Sequence, residues 1–252
     1  MKNQILEELN ASKQYEIKLI NETKLVELSQ RNVAIIEAMI RNDSAYLKSS
    51  DINQGRITSK KGNITYSGST AYWMNQLKLF FENLSNFSYD EIIENAIIAV
   101  DRDNSTHLNA DKIGRIELKN RLLDINENEL LEYLQHPQET NYKLISILAK
   151  KTHAETKARE NLSFASKFCH YACFYLYPDT QYQDNYSIYD NVLKKILPDY
   201  LDFYIPGAKL QDKNYQNYQE IVDLIRVKGI IDTKISRNGF DHLLWYYYKG
   251  RS

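Results

Sequence analysis

Apolar residues recur along most of the chain at three- and four-residue intervals, the spacing that lines one face of a helix. Over residues 3–40, Ile5, Leu9, Ile17, Ile20, Leu25, Leu28, Ile35, Ile36 and Met39 stand between charged positions at roughly this spacing. That predicts one long helix or two in line. The same pattern predicts helices over 71–84, 89–100, 108–123 and 128–134. Ser88 and Asn126 precede two of these runs, with Glu91 and Glu129 three residues on, the spacing of a capping box. Further helices are expected over 139–157, 162–177, 191–203, 215–227 and 236–248. His136-Pro137, Pro178-Asp179, Pro206-Gly207 and Gly229 mark the breaks.

Residues 49–70 read differently. Ile57-Thr58 and Ile64-Thr65-Tyr66 are β-prone, and Lys60-Lys61-Gly62-Asn63 stands between them, predicting a small hairpin near 55–67 with a basic tip. Lys60 and Lys61 are therefore candidate phosphate contacts as well as ordinary solvated lysines. Asp101-Arg102-Asp103-Asn104-Ser105 opens like a calcium loop, but the glycine and closing glutamate of such a loop are missing, so it reads as a polar turn.

Composition agrees with helix. Eight glycines and four prolines in 252 residues are too few for a fold that turns every ten residues. The expected class is mainly α, divided into an N-terminal helical region (1–140) and a C-terminal one (141–252). No linker rich in Gly, Pro or Ser separates them, so they are expected to pack as one body. Cys169 and Cys173 share a helix face, but no second pair completes a zinc site, and they read as reduced, buried thiols. Lys2, Glu7, Glu8 and Lys13 interrupt any secretory leader, and no apolar run approaches the ~18 residues of a membrane span. A cytoplasmic location is expected, with no cofactor or metal.

The net charge of −1 gives no global reason to expect a polyanion partner. Its distribution is less even. Residues 41–80 carry six Lys/Arg against two Asp/Glu, residues 85–140 five against twelve, and residues 141–170 six against two. Basic stretches that flank an acidic one permit local phosphate contacts without requiring them.

The stretch 160–205 carries the chemistry. Ser166-Lys167-Phe168-Cys169-His170 lies in an apolar helix, and Ile188-Tyr189-Asp190 precedes the next one. Asp241-His242-Leu243-Leu244-Trp245 lies near the end. Together these resemble the helix-hairpin-helix DNA glycosylase superfamily. The likeness is closest to bacterial proteins described as having the 8-oxoguanine DNA glycosylase fold, and it covers about residues 140–250. It implies a two-lobed helical fold and action on damaged or modified DNA, with AP-lyase chemistry through a lysine Schiff base. Lys167 would be the nucleophile and Asp190 its acid/base or electrostatic partner. Ser166, His170 and His242 would support them, and Ser163 and Trp245 would be further DNA contacts.

The residue types suit that chemistry. An amine attacks only when unprotonated, and an apolar helix is where desolvation favours the neutral form. An aspartate at a helix start has its carboxylate fixed by backbone N–H groups. Each residue also has an ordinary reading. A lysine such as Lys167 commonly snorkels from a buried helix to water, Asp190 is a good N-cap, and the aromatics at 245–248 fill cores as readily as they stack on bases.

Two features depart from the superfamily. The segment 160–165, where a glycine-rich DNA-binding hairpin would lie, contains no glycine. No four-cysteine cluster follows the last helix, which excludes an iron–sulfur centre. The competing expectation is a non-catalytic helical binding module, such as a component of a bacterial defence or mobile-element system. No Walker loop, nucleophile elbow or zinc-protease motif occurs.

Overall fold

The structure, a computed structural model, describes residues 16–41, 50–53, 55–60, 63–104, 106, 108, 112–152 and 160–249; for 55–60, 63–67 and 112 only the backbone is described. Ten helices and a single two-stranded sheet make up the described residues, so the fold is mainly α. Contacts gather the chain into two compact units. One is residues 45–186; the other joins residues 1–44 to 187–252. This grouping does not follow a cut at residue 140, because the two ends of the chain share one unit.

In the central unit, β1 (Gly55–Lys60) and β2 (Asn63–Gly68) form the expected antiparallel hairpin, with Gly55 opposite Gly68 and Lys60 opposite Asn63. Lys60 ends β1, and Lys61 lies outside the described residues. A methyl group on Gly68 would sit 2.5 Å from Tyr72 Cδ1 and 2.7 Å from Trp73 Nε1. Glycine is what lets β2 run directly into α2 (Thr70–Phe81), whose N-cap is Ser69.

Next come α3 (Tyr89–Asp103), α4 (Lys112–Leu123), α5 (Glu127–Gln135), α6 (Lys143–Leu148) and α7 (Leu162–Leu176). Both expected capping boxes are present: Ser88 with Glu91 opens α3, and Asn126 with Glu129 opens α5. The presumed polar turn at 101–105 is instead the end of α3 as far as Asp103, with Asn104 its C-cap; Ser105 lies outside the described residues. The helix expected over 139–157 is confined to α6. Arg121 explains the stop, because its guanidinium donates to the carbonyls of Lys150 and Lys151, both at 2.8 Å, and so fixes them in non-helical chain. Residues 153–157 lie outside the described residues.

α7 is the middle of this unit. Eleven of its fifteen residues are buried, as expected of a helix that is apolar on every side, and it packs against α2, α3, α5 and α6.

The other unit holds α1 (Gln30–Ile40), α8 (Asn191–Tyr204), α9 (Tyr215–Lys228) and α10 (Arg237–Tyr248). Residues 3–15 of the expected N-terminal helix lie outside the described residues, and 16–29 are not helical. Leu19 pairs with Val26 across a tight turn, in which Glu22 takes φ 61° and the Thr23 hydroxyl donates to Ile20 O at 2.8 Å. The fully buried Asn32 side chain holds the turn shut, donating to the carbonyls of Lys18 and Glu27 (both 2.8 Å) and accepting from Lys18 N–H at 3.0 Å. Apolar spacing alone could not separate this turn from helix. α10 packs against α1 and α8. Tyr248 Oη accepts from Val26 N–H at 3.0 Å, and the Tyr200 hydroxyl donates to Val26 O at 2.8 Å, so both polar groups of Val26 are satisfied within the core.

Candidate functional site

In the central unit, Lys167 sits midway along α7 and is only 8% exposed. Its Nζ donates to the main-chain oxygen of Asn104 at 3.1 Å. Asn104 caps the C-terminus of α3, where unpaired carbonyls attract a cation. The asparagine side chain is occupied at both ends: its amide donates to Val100 O at 3.0 Å, and its oxygen accepts from the Tyr171 hydroxyl at 2.8 Å. Tyr171 is one turn beyond Lys167 on the same helix face.

Thr106 and Leu108, beyond Asn104, are held by Asp101, a fully buried carboxylate. Oδ1 accepts from the Thr106 hydroxyl at 2.6 Å and from Leu108 N–H at 2.7 Å; Oδ2 accepts from Arg115 Nη2 at 2.9 Å.

The other expected residues of α7 are placed as follows. His170 is buried, with Nδ1 2.8 Å from Tyr186 O, and its ring lies 5.2 Å from Tyr171 and 6.2 Å from Phe174. Ser166 is buried and donates to Ser163 O at 3.1 Å. Ser163 is half-buried in the first turn. Cys169 and Cys173 are buried free thiols, and burial pushes both well above the usual thiol range. Among the described residues no group of His, Cys, Asp and Glu is arranged to hold a metal.

In the other unit, Asp190 is the N-cap of α8, and its Oδ1 accepts from Val192 N–H at 2.8 Å. α9 fixes the residues leading to it. Tyr218 donates to Ile188 O at 2.6 Å, Tyr215 donates to Ser187 O at 2.7 Å, and Gln219 accepts from Ser187 N–H at 2.9 Å. Tyr218 is fully buried, and its hydroxyl is pushed well above its ordinary range, first by burial and then by the charges of Asp241 and Asp190.

His242 and Trp245 are half-buried on α10. The Lys249 ammonium stands 3.8 Å over the Trp245 ring, and Tyr246 meets both that ring (4.7 Å) and the His242 ring (6.3 Å). The expected site residues are thus divided between the units: Ser163, Ser166, Lys167 and His170 in one, Asp190, His242 and Trp245 in the other.

Sequence reasoning missed Asn104, Tyr171 and Tyr218. Asn104 falls in the stretch that reads as a polar turn, and Tyr171 and Tyr218 fall in stretches that read only as helices. The available signal was their helical offset: Tyr171 stands at i+4 from the candidate lysine.

Compared with protein-family models, curated proteins and solved structures, the chain matches none. What the fold defines is a mainly helical protein in which no described helix is long and apolar enough to cross a membrane.

Proposed function

We propose that this protein is a DNA glycosylase of the helix-hairpin-helix kind with a lysine-dependent lyase step, acting on damaged or modified DNA. One observation carries the reading. Among the described residues Lys167 is the single buried lysine, and it stands at the position where the resemblance requires the nucleophile. Lysine is rarely buried to this degree without a task or a partner.

The target nucleotide leaves the base stack, at a cost of a few kcal/mol. The unprotonated Nζ of Lys167 forms a bond to the sugar C1′ as the bond from C1′ to the base breaks. The base departs with that electron pair and takes up a proton. The amine's proton passes to solvent; in the resemblance the acid/base or electrostatic role falls to the residue that Asp190 matches. Opening of the C1′–O4′ bond, with O4′ taking up a proton from solvent, leaves a protonated imine on Nζ. Loss of a C2′ proton then expels the 3′-phosphate. Trp245, with its overlying Lys249, suits a contact to base and phosphate together.

A second reading is favoured by the contact between Lys167 and Asn104. A lysine whose ammonium is satisfied by a helix C-terminus is also what a non-catalytic helical module would contain. The glycine-free segment 160–165 points the same way.

Borohydride trapping on duplexes that carry an abasic site or a damaged base separates the two. The enzyme reading expects a covalent adduct that Lys167→Ala abolishes and Asp190→Asn slows by at least tenfold. No adduct with wild-type protein on any such duplex sinks it.

A further inference from the structure

The surroundings of Lys167 contain more order than a buried amine needs. A neutral primary amine has two N–H bonds and one lone pair. Once one N–H is committed to a fixed acceptor, the lone pair sweeps a much smaller arc. Asn104 O, 3.1 Å from Nζ, is such an acceptor, and it is fixed from three directions. Asn104 N–H and its side-chain amide both donate to Val100 O, at 3.1 and 3.0 Å. The Tyr171 hydroxyl grips its side-chain oxygen at 2.8 Å. Asp101 holds Thr106 and Leu108 just beyond.

Because Tyr171 lies on the same helix as Lys167, α7 clamps Asn104 at two points, the main chain with the lysine and the side chain with the tyrosine. We infer that Asn104 and Tyr171 are positioning residues that aim the amine of Lys167, a role that rests on Lys167 being the nucleophile proposed above.

Tyr171→Phe tests this with little disturbance, since the ring keeps its place 5.2 Å from His170 and only the hydroxyl is lost. Asn104→Ala breaks the same clamp from its other end. On a duplex containing an abasic site, Tyr171→Phe should lower the single-turnover rate of borohydride trapping about fivefold, the equivalent of one neutral hydrogen bond of ~1 kcal/mol. Duplex affinity, read by fluorescence anisotropy, should not change. The double variant should lose no more than Asn104→Ala alone, since both substitutions break one clamp. A Tyr171→Phe protein that traps at the wild-type rate overturns the inference, and so does a loss that appears in affinity alone.

Should wild-type protein trap no adduct, the proposed function fails, and the clamp is then judged by a probe that needs no DNA. Reductive methylation of Lys167 with formaldehyde and cyanoborohydride, followed by mass spectrometry of its peptide, should run about fivefold faster in folded Tyr171→Phe, because a released amine is more available to a small reagent. Equal rates in the two proteins refute the clamp whatever the chain does to DNA.

Discussion

Replacing Asp101 with alanine should be among the most damaging single changes in the central unit. The carboxylate is fully buried and accepts three hydrogen bonds: from Thr106 Oγ1 at 2.6 Å, Leu108 N–H at 2.7 Å and Arg115 Nη2 at 2.9 Å. The first two donors are neutral, but the acceptor is charged, so each bond contributes more than the ~1 kcal/mol of a neutral pair. Removing one member of a buried ion pair costs ~3–5 kcal/mol, and the Leu108 N–H, on a residue only 4% exposed, loses its acceptor as well. A total near 4 kcal/mol corresponds to a fall in Tm of roughly 8–16 °C for a chain of this length.

Asp101→Asn keeps an oxygen for two of the donors and should fall about half as far. Thermal unfolding followed by far-UV circular dichroism gives both values. Arg115→Met in the Asp101→Asn background should cost less than in wild type, because the pair is already broken. If Asp101→Ala melts within about 2 °C of wild type, on a scale of 2–4 °C per kcal/mol, the buried network does not stabilise the segment that receives Lys167.

Two further outcomes follow from burial. Cys169 and Cys173 should resist iodoacetamide in native protein at pH 8, since burial raises both thiols and leaves little thiolate; rapid labelling before unfolding, seen by mass spectrometry, would contradict their placement. Tyr248→Phe should cost ~1–3 kcal/mol by leaving the buried Val26 N–H without its acceptor, and urea titration of the variant should show a lowered midpoint.

Local chemistry made much of the helical framework legible. Ser88-x-x-Glu91 and Asn126-x-x-Glu129 marked the N-caps of α3 and α5, because a capping box is written entirely within four positions, although the expected span 128–134 begins one residue inside α5. Gly62 between β-prone runs likewise marked the hairpin. The failures have a common cause. Residues 16–29 carry helical spacing, yet the buried amide of Asn32 draws the carbonyls of Lys18 and Glu27 into a turn. The helix after residue 139 ends early because Arg121, some thirty positions upstream, takes its carbonyls. In each case a side chain distant in sequence outcompeted the helical hydrogen bond.

The candidate site divides in the same way. Asp190 as an N-cap was readable from its neighbours, and the burial of Lys167 followed from the apolar run around it. Its acceptor was not readable. Asn104 is 63 positions away, and nothing in the segment around it signals a lysine.

The sharing of one unit by both ends of the chain has a consequence for biosynthesis. Ribosomes deliver roughly 5–20 residues per second, so the segment 16–41 emerges on the order of ten seconds before the residues 187–249 that complete its core. During that interval Leu25, Val26, Leu28, Ile35 and Ile36, all buried in the finished protein, have no partners from the later helices. The central unit can be completed first, while residues 16–41, made before it, wait for helices made after it.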